Sequence, residues 1–211
     1  MKIADIRRDY KLKSLIENEV AEDAISQFTN WWNEALDSNI DEVNAMTLAT
    51  ASKEGLPSAR IVLLKDYTEK GFVFFTNYHS NKGKDIAENN HATLLFFWKE
   101  LERQVNIFGT IEKISDEEND EYFYSRPVGS RIGAWSSPQS SVINDRQVLE
   151  DNATRFATQF GDNVPRPANW GGYLVKPSKI EFWQGRPSRL HDRLLYTLTE
   201  NGSWKIERLA P

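Results

Sequence analysis

The sequence predicts a mainly β fold, an antiparallel barrel with peripheral helices. Three observations carry this reading: about nine short runs rich in β-branched and aromatic residues, turn-like pieces joining most of them directly, and helical segments that arrive in blocks. A doubly wound α/β fold needs strands and helices in strict alternation and a Gly-rich turn, and the 211 residues contain neither.

Residues 1–20 are polar and are expected to form a mobile N-terminal segment. From Asp23, "DAISQFTNWWNEALDS" sets Ile25, Phe28, Trp32 and Ala35 at helical spacing, with Asp23 as N-cap. Five strand-like runs follow: "AMTLATA", "SARIVLLK", "GFVFFTN", "ATLLFFW" and "RQVNIFGTIEKI", with "KEGLP" and "DYTEKG" as turns. "SDEENDEYFYSR" opens with Ser115 and Glu118 in capping-box spacing and stops at Arg126, because Pro127 cannot continue a helix. "NDRQVLEDNATRFATQF" places Leu149, Ala153, Phe156 and Phe160 on one helical face, ended by Gly161. The chain then returns to strands with "GGYLV", "KIEFW", "LLYTLT" and "SWKIERL", the last two joined through a hairpin signal at Asn201-Gly202. No internal repeat or linker interrupts residues 21–211, which are read as a single domain.

Composition narrows the function. Hydrophobic residues make up 39% and aromatics 12%, with 7 Trp, a globular profile rich in aromatic anchors. A net charge of −5 offers no bulk attraction to nucleic acid or to an anionic membrane. With no Cys, disulfides, thiolate nucleophiles and Cys-based metal sites are excluded. The N-terminus lacks an apolar leader and no stretch reaches the length of a membrane span, so a cytoplasmic location is expected. His79, His91 and His191 do not fall at metal-ligand spacing, and there is neither a G-x-S-x-G elbow nor a phosphate-binding P-loop.

Basic and hydroxyl groups at element ends are what remain. Arg60 and Lys65 bracket an apolar run, on opposite strand faces and roughly 16 Å apart, where they serve either two anions or as snorkelling strand-end cations. Tyr122 and Arg126 share a helix face, and Ser130 follows after the Pro-Val-Gly break. A phenol, a guanidinium and a hydroxyl suit a phosphate; the alternative is a core Tyr and a helix-end cation. "SNKGKD" reads as a helix N-terminus carrying Lys82.

In order along the chain, "RIVLLK", "FFTN", "SNKGK", "LERQV", "YFYSRPVGSRIGAW", "QSS", "WGGY", "EFWQG", "RLHDR" and "WKIERLAP" resemble the pyridoxine/pyridoxamine 5′-phosphate oxidase family. The resemblance spans nearly everything from about residue 44 onward and, more loosely, "RRDY" at 7–10. It implies an FMN-binding split β-barrel, Greek-key-like, that forms a homodimer with FMN at the interface. Carried over motif by motif, the flavin contacts it implies are Arg60, Ile61, Val62, Leu63, Leu64, Lys65, Phe75, Thr76, Asn81, Lys82, Gln104, Gln139, Ser140, Trp183 and Arg193. The substrate 5′-phosphate would meet Lys65, Tyr122, Arg126 and Ser130. Arg189, Leu190 and His191 would lie against the pyridine ring, with Arg189 and His191 as the catalytic pair. Arg7, Arg8, Asp9 and Tyr10 would cover the site. Two positions depart from the family pattern: Asn81 stands where many members carry Arg, and Phe75 where Tyr is common.

The implied reaction oxidises pyridoxamine or pyridoxine 5′-phosphate to pyridoxal 5′-phosphate, with O₂ reduced to H₂O₂. Two alternatives are a split-barrel flavin reductase, which leaves the phosphate cradle unexplained, and a non-catalytic flavin or pyridoxal-phosphate carrier. "RLHDR" is expected to run strand-like, with Arg189, His191 and Arg193 on one face at period two.

Overall fold

The computed structural model describes Ile3 and residues 9–211; Arg7 and Arg8 lie outside the described residues. Helix α1 (Ala24–Asp37) starts as read, the Asp23 carboxylate accepting from the Ser26 N–H at 2.8 Å. Four strands follow: β1 (Ala45–Ala51), β2 (Pro57–Leu63), β3 (Asp66–Thr68) and β4 (Gly71–Asn77). The turn expected at 66–71 thus contains a short strand. Helix α2 (Asn81–Glu88), β5 (His91–Trp98) and β6 (Arg103–Lys113) come next.

Helix α3 (Asp116–Ser125) carries both halves of the Ser115/Glu118 capping box. The chain does not stay open after Pro127: α4 (Val128–Ser136) begins at once, so Ser130 sits on a helix and not on the expected loop. Proline suits that position, since the first N–H groups of a helix have no intrahelical partner. Helix α5 (Gln147–Phe160) packs on α4 through Trp135, whose ring lies 5.5 Å from Phe156 and 5.1 Å from Phe160.

"GGYLV" and "KIEFW" form one strand, β7 (Trp170–Gln184), followed by β8 (Asp192–Leu198) and β9 (Trp204–Arg208). The sheet order β2-β1-β5-β6-β7-β4-β3, with β8 and β9 branching from β7, explains the split. Along one edge β7 pairs with β6 from 173 to 184, whereas its other edge is divided: β4 takes 170–175 and β8 takes 179–184. The register shifts between Phe108 and Gly109, where Lys179 and then Pro177 are the partners and Ser178 is the extra residue. Before this bulge Tyr173, Val175 and Pro177 are buried; after it Ile180, Phe182 and Gln184 are.

The core lies between this curled sheet and α1. Phe28 is fully buried, edge-on to Phe72 at 4.9 Å and to Tyr67 at 5.0 Å, and stacked on Trp32. Burying such a side chain contributes about 1.5–3 kcal/mol, so this aromatic knot ties α1 to the barrel. Residues 10–20, expected to be mobile, are seated on the domain. Leu15 is buried in the core, its N–H donates to Asp192 Oδ2, and Arg208 donates to its carbonyl.

Candidate active site

A cavity of about 710 Å³ opens between β2, β4 and the α3–α4 pair. Ile61, Val62, Leu63 and Lys65 form one wall, Phe75 and Thr76 the floor, and Tyr122, Arg126 and Ser130 the opposite side. The i, i+4 spacing on α3 and the immediate turn into α4 bring these last three together. Phe75 stacks on Tyr122 with centroids 3.9 Å apart, and Trp170 stacks on Phe75 at 5.3 Å. Arg126 lies over the Trp170 ring at 4.6 Å, and its Nη1 is buried without a hydrogen-bond partner among the described residues. Burial pulls the Arg126 pKa below the ordinary guanidinium range. A desolvated guanidinium with an unused donor favours an anion in the cavity.

The second cationic corner lies at the start of α2. Lys82 is buried and, among the described residues, has no carboxylate partner; its ammonium reaches Gln139 Oε1 and Ser80 Oγ at 3.4 Å each. Burial lowers its pKa, and the Arg60 charge lowers it further. Arg60 donates to Thr50 Oγ1 at 2.8 Å and stands 3.9 Å from Asp85, while burial lowers its pKa as well. Gln139 Oε1 also accepts from Thr76 at 3.1 Å, drawing the loop after α4 onto the cavity. Two neighbouring cations at a helix N-terminus suit a terminal phosphate. Arg60, Leu64, Asn81 and Ser140 do not border the cavity: Leu64 is core, and Asn81 and Ser140 are exposed.

The other assigned residues gather elsewhere. Gln104, Trp183 and Arg193 are direct cross-strand partners on β6, β7 and β8, so their side chains share one sheet face. Arg193 is paired with Glu181 at 2.7 Å and donates to the Ala210 carbonyl. The Trp183 ring lies 4.6 Å from His191, and Tyr10 meets both edge-on, at 5.7 Å from Trp183 and 6.0 Å from His191. His191 Nδ1 accepts from the Arg186 N–H at 3.1 Å, which leaves Nε2 to carry the proton of the neutral ring. Burial, then the Arg189 charge, lowers the His191 pKa. The strand-like alternation expected at 189–191 is absent. Pro187–Arg189 is a 3₁₀ turn with φ of 58° at Ser188 and 62° at Arg189, and β8 starts only at Asp192. Arg189 and Leu190 are exposed, as is Asp9.

Within one chain, then, the assigned residues fall into two separate groups. Trp183 lies eleven residues along β7 from Gly172, the partner of Phe75, roughly 36 Å of extended strand. None of Gln104, Trp183, Arg189, His191 or Arg193 borders the cavity. Sequence reasoning passed over Trp170, the platform under Arg126, although "WGGY" was visible as a motif. It also passed over Glu102, which receives two N–H groups of the N-terminal segment. No group of His, Asp and Glu suited to a metal occurs among the described residues, and none of their helices is long and apolar enough to cross a membrane.

Comparison with known proteins agrees with this geometry. Residues 32–160 match the family model described as pyridoxamine 5′-phosphate oxidase, and 170–211 match the pyridoxine 5′-phosphate oxidase C-terminal dimerisation region. PhzG from Burkholderia lata 383, solved with tetrahydrophenazine-1-carboxylic acid, superposes with a TM-score of 0.89 at 30% identity, covering 95% of this chain and 99% of that one. A pyridoxamine 5′-phosphate oxidase-related, FMN-binding protein from Nostoc punctiforme superposes with a TM-score of 0.71 at 18% identity, over 87% of this chain and 97% of that one. The curled antiparallel sheet and its peripheral helices define a protein of the split-barrel class. The pyridoxine/pyridoxamine 5′-phosphate oxidase of Cupriavidus pinatubonensis is 56% identical over 209 residues, 99% of either chain. That of Trichormus variabilis is 56% identical over 210 residues, 99% of this chain and 98% of its own. The chain belongs to the pyridoxine/pyridoxamine 5′-phosphate oxidase family.

Proposed function

We propose that the protein is an FMN-dependent oxidase that converts pyridoxamine and pyridoxine 5′-phosphate to pyridoxal 5′-phosphate, with O₂ as acceptor and H₂O₂ as product. The observation that carries this reading is Arg126, whose buried, unpartnered Nη1 belongs to a cavity shared with Lys65, Tyr122 and Ser130. A phosphate dianion leaving water needs several donors, and these four groups supply them. The carboxylated phenazine ring bound by PhzG is the competing substrate class, and so dense a cradle favours the phosphate.

The residues fit FMN. Arg60 and Lys82 would hold its phosphate, Ile61 to Lys65 with Phe75, Thr76 and Gln139 would flank it, and Asn81 and Ser140 would lie at its edge. Bound FMN would supply the two-electron acceptor, taking a hydride from the substrate C4′ carbon and passing the electrons to O₂. The two groups meet if the molecule is a homodimer that pairs the cavity of one copy with Gln104, Trp183, Arg189, His191 and Arg193 of the other. In support, Trp183, Arg189, His191 and Arg193 all fall within the matched dimerisation region. Arg189 would then counter negative charge developing on the pyridine ring, and His191 Nε2–H would hold the C4′ amine or hydroxyl. Tyr10, with Arg7, Arg8 and Asp9 before it, would cover the ring. Residues 21–211 form one domain in this reading, and a chain without cysteine suits a reducing cytoplasm.

Steady-state H₂O₂ release by the FMN-loaded protein tests the proposal. Turnover with pyridoxamine 5′-phosphate is expected; turnover only with a phenazine acid, or only with a nicotinamide donor, would replace it.

A further inference from the structure

Glu102 has more structural obligations than a strand-flanking acid needs. It is buried, only 3% exposed, yet has no cationic partner among the described residues. Its φ of 55° is a left-handed conformation that Gly or Asn adopts more easily at the end of a helical turn. A glutamate kept at such a position points to a use for the side chain. Glu102 Oε2 accepts the N–H of Lys11 at 2.8 Å and that of Leu12 at 3.1 Å, two consecutive donors some ninety residues away in sequence. Its own carbonyl accepts the Gly185 N–H at 2.8 Å. Between those two attachments lies Tyr10, packed so closely on Gly185 that a Cβ there would stand 2.6 Å from its ring. One residue therefore grips both sides of the contact that presses Tyr10 toward Trp183 and His191.

We propose that Glu102 is a positioning residue whose carboxylate clasps residues 11 and 12, keeping Tyr10 on its Gly185 seat against His191. Leu15, farther along the segment, is fastened independently through Asp192 and Arg208. Loss of the clasp therefore frees the Tyr10 end alone. The kinetic consequence rests on the oxidase reading; the clasp itself does not.

The test uses FMN-loaded full-length protein with Glu102→Asp, Glu102→Ala and Glu102→Gln. The first two withdraw the acceptor, while Gln keeps an oxygen at the same reach. Trypsin cleavage after Lys11, located by mass spectrometry, reads the clasp directly, because the scissile peptide contains the Leu12 N–H. Hydrogen bonds to a charged acceptor are each worth a factor of about 10 or more, so cleavage in Asp and Ala should accelerate at least about 10-fold. KM for pyridoxamine 5′-phosphate should rise by a comparable factor with FMN content unchanged, and Gln, which keeps the acceptor oxygen without its charge, should fall between wild type and Ala in both readouts. Gly185→Ala and Tyr10→Ala should raise KM in the same way. Folded Asp or Ala variants cut at the wild-type rate would overturn the clasp, as would a Gln variant that loses as much as Ala. Should neither withdrawal variant fold, an unchanged KM in Tyr10→Ala would sink the proposal. If the wild type does not turn over the B6 phosphates, the oxidase reading fails and the cleavage rates still decide the clasp.

Discussion

Arg126→Ala separates a ligand-binding role from a structural one. In the ligand-free protein two effects oppose each other. The guanidinium stacks on Trp170 at 4.6 Å, worth about 0.5–2 kcal/mol, while its buried, unpartnered Nη1 costs about 1–3 kcal/mol. Their near-cancellation predicts a melting temperature within a few degrees of wild type, since about 1 kcal/mol shifts a domain of this size by roughly 2–4 °C. Against the substrate phosphate nothing cancels. Charge-assisted hydrogen bonds contribute about 1.5–3 kcal/mol, so kcat/KM for pyridoxamine 5′-phosphate should fall roughly 10- to 150-fold. Unphosphorylated pyridoxamine, expected to be a poor substrate of the wild type for the same reason, should lose far less, because neither protein makes the contact. H₂O₂ release with both substrates, at saturating FMN, supplies the comparison. Equal losses for the two substrates, or a fall in melting temperature of ten degrees or more, would refute the cradle.

Lys82→Met should weaken FMN retention by roughly 10- to 150-fold without destabilising the apoprotein, because the lost ammonium is buried and lacks a carboxylate; flavin released on dialysis measures it. Mixed dimers of Arg126→Ala and His191→Ala chains should recover about a quarter of wild-type activity, since half the dimers are mixed and each holds one intact site. No recovery after confirmed subunit exchange would place both residues in one chain's site. The folded pKa of His191 is depressed, so the unfolded chain binds the proton first and stability falls as pH drops below about 6.5 toward the folded pKa. Arg189→Gln should raise the imidazole pKa in an NMR titration, and an unmoved pKa would mean the two side chains do not interact.

Much of the fold could be read from local signals because local chemistry decides those features. "GFVFFTN" became β4 residue for residue, and Asp23 and the Ser115/Glu118 pair start their helices as their side chains dictate. The misreadings came where tertiary structure overrides a breaker. Pro127 ends α3 but also starts α4, so a presumed loop carries Ser130 on a helix. Pro177-Ser178 looked like a boundary, yet a bulge accommodates them within β7. The cavity-lining basic residues were visible as cations at element ends suited to a phosphate. Trp170 was not, because its value lies in stacking partners more than forty residues away on α3 and nearly a hundred away on β4. Left-handed backbone at Ser188 and Arg189 has no glycine to announce it, and the period-two reading of "RLHDR" failed there.

The single extra residue at Ser178 has a consequence for how this sheet can change. Upstream, odd-numbered positions of β7 turn inward; downstream, even-numbered ones do. Ser178 works as a frameshift. Deleting it would leave an unbroken alternation in which Tyr173, Val175, Ile180 and Phe182 still face inward and Trp183 outward, so that only the bulge and its local twist are lost. The bulge and the flanking loops are therefore where this strand can change length, whereas a one-residue deletion elsewhere in β7 must turn inward side chains outward.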